Sequence, residues 1–226
     1  MRPNDPALYE QLAAEWWDED GVFKMLHWLA AARARLIPPA ERPGAVLVDL
    51  GCGGGLLAPH VAGKGYHHVG ADIVHGSLGI AAKYGVTGVR ADVSALPLAS
   101  GCADVVSAGE ILEHVYDLPS TVAEACRVLR PGGLVVLDTL SDTALCRFVA
   151  ITLAERLGLA PRGVHDPALL VSPSRLKALF AAHGVRLRVR GLRPSLLDLL
   201  ARRRAVRMVP SLSTAILYQG RGVKAW

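Results

Sequence analysis

The strongest constraint on this chain is an alternation. Short apolar segments, "AVLVDLG" (45–51), "HHVGADI" (67–73), "GVRADV" (88–93), "ADVVSAGE" (103–110) and "LVVLDTL" (134–140), recur between stretches of helical spacing. The intervening helices are expected at about Leu56–Ala62, in "SLGIAAKYG" and in "STVAEACRVLR". Strands with so few polar positions must be buried on both faces, which calls for a parallel sheet covered by helices on each side. The class is α/β. Downstream, "VRLRVRGL" alternates like a strand with one wet face, and "STAILYQG" reads as a further strand. Upstream, residues 7–36 have helical spacing interrupted by the turn "WDEDG", and "PPAERPG" breaks the chain before the first strand.

A chain of 226 residues that is 51% hydrophobic suffices for one domain and has no compositional sign of disorder. We divide it into a helical cap (1–40), a core (45–140), an apolar insertion (140–165) and a C-terminal part of the sheet (166–226). The insertion, "LSDTALCRFVAITLAERLGLAP", is broken too often by Asp142, Arg147, Glu155 and Arg156 to span a membrane, which takes ~20 mainly apolar residues. An amphipathic helix fits it better, as a lid, a channel wall or a patch touching a lipid monolayer. Cys52, Cys102, Cys126 and Cys146 form no CxxC pair and no secretory signal is evident, so reduced thiols in a cytoplasm are expected. The net charge of +5 is uneven, with Arg186, Arg188, Arg190, Arg193, Arg202, Arg203, Arg204 and Arg207 crowded late in the chain. A solvated face or an anionic membrane surface accounts for them. Aromatics make up 5% of the chain and none alternates with the arginines, so nucleic acid is not an expected partner. Nothing in the sequence specifies an oligomeric state.

The chemistry begins at "DLGCGGG". Gly51, Gly53 and Gly55 follow an apolar strand where the chain must turn tightly and let a ligand approach its backbone. The spacing is not the G-x-G-x-x-G of hydride cofactors, because Ala58 and Pro59 occupy the later positions. Asp49, inside the turn, would repel a pyrophosphate but accept hydrogen bonds from a cationic amino group. Asp72 ends the second strand, where a carboxylate can take both hydroxyls of a ribose. Asp92 ends the third, near where an adenine amine would lie. Cys52, Ile73 and Val93 flank these positions and join them as candidate cofactor contacts.

With "GADI", "ADVSALPL", "ADVVSAGEILEHV" and "RVLRPGGLVVLDTL", residues 45–140 resemble the class I S-adenosylmethionine-dependent methyltransferases. The flanks "LAAEWWDEDGVFKMLHWLAAAR" and "GVHDPALLVSPSRLKALF" are similar to those of the ubiquinone-biosynthesis O-methyltransferases, which methylate phenolic oxygens on polyprenylated rings. The resemblance implies a Rossmann-like, seven-stranded, mostly parallel sheet whose last strand is antiparallel. It also implies cofactor contacts from Arg33, Gly51, Asp72 and Gly109. Two departures stand out: "WLAAAR" follows "VFKMLH", and the Arg-rich "LLARRRAVRMVP" has no clear counterpart.

In "EILEHV", Glu110, Glu113 and His114 stand at i, i+3 and i+4, so a helix would turn all three to one face. Two carboxylates and an imidazole suit a divalent cation such as Mg2+, which would lower the pKa of a ligated catechol hydroxyl. A role in orienting the cofactor is the plainer reading. Without metal, His114 or His165, the latter in "GVHDP", would take the phenolic proton, and Glu110 is a further catalytic candidate for acceptor activation. Trp16 and Trp17 are expected to pack, on a helix that closes over the cofactor, and His67 and His68 to lie on a strand surface. The expected activity is methyl transfer to a phenolic or catechol hydroxyl, by a cytoplasmic protein peripheral to the inner face of the cell membrane. Another acceptor, or a membrane-associated scaffold that binds the cofactor without turnover, is the alternative.

Overall fold

The computed structural model describes residues 4–153, 156 and 163–226. One eight-stranded sheet, ordered β3-β2-β1-β4-β5-β8-β6-β7, organises the molecule. The strands are β1 (Val46–Leu50), β2 (His67–Asp72), β3 (Thr87–Arg90), β4 (Ala103–Gly109), β5 (Leu129–Leu140), β6 (Arg188–Pro194), β7 (Met208–Ser211) and β8 (Leu217–Val223). The first five pair in parallel, and β8 runs antiparallel to β5. The expected seven strands are therefore corrected to eight. The extra one, β7, comes from the Arg-rich stretch and pairs antiparallel with β6. Its Met208 is buried and completes a small cluster with Leu192.

Strand alternation assigns the two faces. Leu47, Val105 and Val136 point to the side covered by α2 (Lys24–Ala34) and α3 (Ala58–Val61). Their neighbours Val48, Val106 and Val135 point to α5 (Leu118–Val128) and α7 (Pro173–Ala182). Each fully buried Val or Leu of this kind contributes about 1.5–3 kcal/mol relative to exposure. The helix starts are written locally: Asp117 accepts from the Ser120 N–H before α5, and Ser172 from the Arg175 N–H before α7, each with proline in the first turn. The "PGG" of residues 131–133 lies in a bulge within β5. Leu129 pairs with Ala103 and Leu134 with Val105, so residues 130–133 loop out of the ladder.

The cap is broken more often than helical spacing suggests. It comprises α1 (Pro6–Gln11), a single 3₁₀ turn (Ala13–Glu15) and α2, with α4 (His75–Ala82) beneath. The insertion begins as α6 (Ala144–Cys146) and continues as a π-helical stretch, Arg147–Leu153. The rest of its expected helix lies outside the described residues, apart from Arg156. Among the described residues no helix is long and apolar enough to cross a membrane.

Candidate functional site

The carboxyl ends of β1, β2, β3 and β4, together with the cap, enclose a cavity of about 680 Å³. That volume lies within the usual range for a small-molecule site. It is lined by Arg33, Asp49, Gly51, Cys52, Gly53, Asp72, Ile73, Asp92, Val93 and Gly109 among the cofactor candidates, and by Glu110, His114 and His165 among the catalytic ones. Gly55 is not on the wall. A Cβ there would meet Ala81 at 3.1 Å, so this glycine lets the loop lie on α4 and does not face a ligand.

The loop geometry explains the glycines that do line the cavity. Gly51 has φ of +63°, and a Cβ on it would stand 2.6 Å from Ile111. Gly53 lies under the Trp16 ring, and its N–H donates to Asp72 Oδ2 at 2.8 Å. The other Asp72 oxygen accepts from the Val74 N–H. Burial pushes the Asp72 carboxyl up against these bonds. Asp92 is exposed, and its Oδ1 accepts from the Ser94 N–H and hydroxyl. These features fit a ribonucleoside with a charged amino-acid end: a backbone that can be approached closely, and acids ending adjacent strands.

Behind the loop runs a buried polar layer that the sequence did not announce. Arg33, from α2, crosses β4 to reach β5, where one guanidinium nitrogen donates to both Asp138 oxygens at 2.7 and 2.9 Å. Its Nε donates to the Ser107 hydroxyl at 3.1 Å. Burial opposes the guanidinium charge, but Asp138 and Asp49 outweigh it and raise the group's pKa. Gly109 is small because a Cβ there would fall on the Arg33 guanidinium. His68, expected on a surface, is buried with Nε2 3.5 Å from Asp49 Oδ2, whereas His67 is exposed.

"EILEHV" does not form the expected α-helix. Glu110 has φ of +50° and its N–H donates to the Asp138 carbonyl; only Leu112–His114 form a 3₁₀ turn. The three side chains therefore do not share a face. Glu113 turns inward and its Oε2 accepts from the Thr139 hydroxyl at 2.7 Å. Burial, reinforced by the charge of Glu113, pushes Glu110 well up, and burial pushes Glu113 up to about 7. His114 turns the other way. Its Nδ1 is 2.8 Å from Asn4 Oδ1, Asn4 Nδ2 donates to its carbonyl, and its Nε2 is 3.4 Å from the Tyr9 hydroxyl. Among the described residues no group of three His, Cys, Asp or Glu side chains gathers as a metal would require. The expected Glu110, Glu113 and His114 cation triad is thus corrected to an acid pair on one side and an imidazole on the other.

His114 and His165 stack at 5.5 Å between centroids. Burial, with each other's proximity for His114, drops them to about 3 and about 4, so both rings are neutral near pH 7. Sequence reading missed Tyr9, Asn4, Ser107 and Asp138. Tyr9 and Asn4 sit too far from the motifs in sequence to be joined to them by spacing. Asp138 has a signal in retrospect, as the lone acid in an otherwise apolar strand.

A family model described as a methyltransferase domain matches residues 48–137. The ubiquinone biosynthesis O-methyltransferase of Paraburkholderia xenovorans is 36% identical over 194 residues, covering 81% of this chain and 83% of its own. That of Chromobacterium violaceum is 39% identical over 178 residues, covering 74% and 76%. The chain belongs to the ubiquinone biosynthesis O-methyltransferase family. As a member it is an S-adenosylmethionine-dependent methyltransferase. The fold agrees: an S-adenosylmethionine-dependent methyltransferase of Thermotoga maritima matches with TM-score 0.70 at 17% identity, covering 96% of this chain and 98% of its own. Phosphoethanolamine N-methyltransferase 2 of Haemonchus contortus, in complex with S-adenosyl-L-methionine, matches with TM-score 0.62 at 13% identity, covering 96% of this chain and 60% of its own.

Proposed function

We propose that the enzyme methylates a phenolic or catechol hydroxyl on an apolar, polyprenylated ring. The observation that carries this reading is the polarity of the cavity wall. Pro6, Val22, Phe23, Met25, Leu26 and Leu29 give it apolar surface, while Glu110, His114 and His165 give it titratable groups. When bound, S-adenosylmethionine supplies an electrophilic sulfonium methyl, so the chain's remaining tasks are alignment and proton removal. Asp72 would receive the ribose hydroxyls, Asp92 the adenine end, and Asp49 with the Gly51–Gly53 backbone the amino-acid end. Arg33 holds Asp138, and through the Asp138 carbonyl it fixes the Glu110 backbone.

The proton would go to the acid pair. A general base works best with a pKa near the working pH; burial raises both carboxyls, Glu113 to about 7, and drops the His114 and His165 imidazoles to about 3 and about 4. Glu110 lines the cavity; Glu113, hydrogen-bonded to Thr139, sits behind it. His114, held by Asn4, would orient the ring or relay the proton as Nε2 accepts from the Tyr9 hydroxyl. No step is routed through a cation. Drawing so apolar an acceptor from a lipid phase makes contact with an anionic membrane surface, by a protein on the cytoplasmic side, part of this proposal.

The test is product formation from a series of catechols with increasing tail length, with and without chelator. We expect kcat/KM to rise with tail length and to resist chelation. Binding of the donor without methylation of any catechol would overturn the acceptor assignment. Loss of activity on chelation, restored by Mg2+, would overturn the acid-pair route.

A further inference from the structure

A row of polar side chains crosses the sheet face that α2 and α3 cover. Leu47, Val105 and Val136 mark that face, and a period of two carries it to Asp49 on β1, Ser107 on β4 and Asp138 on β5. His68 on β2 is the register partner of Leu47, and Gln219 on β8 that of Asp138, so both join the row. All of these polar residues are buried. Arg33 serves the middle of the row. Among the described residues its hydrogen bonds run to Ser107 and Asp138, while Asp49 acts on it through charge.

The β2 end of the row is different. His68 is 7% exposed, and neither of its ring nitrogens has a hydrogen-bond partner among the described residues. A buried polar group without a partner costs stability that an apolar side chain would not. A residue kept here for packing alone would be apolar, as its register neighbour Leu47 is. The polar atom that His68 does face is Asp49 Oδ2, 3.5 Å from its Nε2. Asp49 lines the cavity and His68 stands behind it, so the imidazole reaches the site through that carboxylate.

We propose that His68 is a positioning residue for donor binding, whose Nε2–H holds one oxygen of Asp49 and so sets the carboxylate to receive the donor's ammonium group. This rests on the proposed placement of the donor's amino-acid end at Asp49. An ionised carboxylate has acceptor sites enough for an imidazole N–H and an ammonium together. Contacts at a functional site are commonly long before the ligand binds and shorten in the complex. The stability lost by burying an imidazole is then offset where it is useful, in the affinity for the donor.

The experiment compares two ligands by calorimetry on the full chain. S-adenosylhomocysteine carries the amino-acid end; methylthioadenosine keeps the ribonucleoside and lacks that end. His68→Leu should weaken the first about fivefold and leave the second within about twofold. His68→Gln, which returns an N–H near the position of Nε2, should recover most of the affinity. In an Asp49→Asn background His68→Leu should have little further effect on S-adenosylhomocysteine, because the two residues act as one unit. Without ligand, the Tm of the leucine variant should equal or exceed the parent's, since an unpartnered polar ring has gone. Under turnover its loss should fall on the donor KM more than on kcat. Equal weakening of both ligands would overturn the proposal, as would a leucine variant that melts early yet binds S-adenosylhomocysteine as the parent does. So would a glutamine variant that binds it as poorly as the leucine one. If Asp49→Asn alone leaves that affinity at the parent's value, the placement of the amino-acid end at Asp49 fails, and this role of His68 with it.

Discussion

At Gly109 one hydrogen atom stands where any side chain would strike the Arg33 guanidinium. Gly109→Ala should therefore cost the Arg33–Asp138 contact, and Asp138→Asn should destabilise by about 3–5 kcal/mol, because it leaves a buried cation without its charge partner. Urea unfolding midpoints with unchanged slope would check both. Asp72→Ala should weaken donor binding by about 10–100-fold, the loss of hydrogen bonds to a charged acceptor, read by calorimetry. The buried histidines give stability a pH dependence. Unfolded, His114 and His165 take up protons below about 6.5; folded, they resist until about 3 and about 4. Unfolding then binds protons, and stability falls as pH drops from 7 toward 4, by on the order of 2–3 kcal/mol per histidine. Glu113 acts in the opposite sense: its folded pKa is raised to about 7, so its contribution is present below about 4.5 and lost as pH rises through 7. The variant His114→Gln/His165→Gln should flatten the acid side of a Tm-against-pH curve. An unchanged acid slope would show that other groups govern it.

Among the elements, the cap matters most to the site. Trp16 stacks on Phe23 at 4.2 Å and its Nε1 donates to the Ser77 hydroxyl, while Trp17 stacks on Tyr84 at 3.6 Å and donates to the Gly54 carbonyl. The two tryptophans clamp the glycine loop from above to α4 below. Trp16→Ala should remove about 3–5 kcal/mol of packing and expose the donor's amino-acid end to water. We expect a lower Tm and a raised Kd for S-adenosylmethionine; a variant that melts early yet binds the donor as the parent does would show that the roof serves stability alone. The elements legible in the sequence were those whose signals are local. The helix in "STVAEACRVLR" is one: α5 is started by Asp117, two residues before a proline, and carries its apolar residues on one face. The motif "EILEHV" was misread for a physical reason. Its backbone is captured by β5 through the Glu110 N–H to Asp138 carbonyl bond, which forces Glu110 to positive φ and leaves too few residues for an α-turn.

For the whole molecule, β5 and β8 pair over seven register positions, so the methyltransferase core and the C-terminal strands share one sheet. We therefore expect one cooperative unfolding transition across 1–226, with far-ultraviolet circular dichroism and tryptophan fluorescence superimposing. Two separated midpoints would mean that the Arg-rich strands fold apart from the core. The charge asymmetry belongs to this scale too, because the basic corner meets the cavity-lining cap through the Arg204–Asp20 pair and through Leu29 and Ala32 of α2 packed with Leu192 and Met208. By itself the sequence determined the α/β class, the strand positions of the core, the glycine turn and the acids at Asp49, Asp72 and Asp92. Each of these depends on contiguous residues and on a period of two or 3.6, which a linear reading can count. Only the tertiary structure decided that Arg33 meets Asp138, that Asn4 and Tyr9 attend His114, that Glu110 and Glu113 part from that histidine, and that the short helix Leu196–Leu200 faces its leucines outward. These contacts join residues up to about a hundred positions apart, and their partners are chosen by how helices cross the sheet, a choice that no local spacing records.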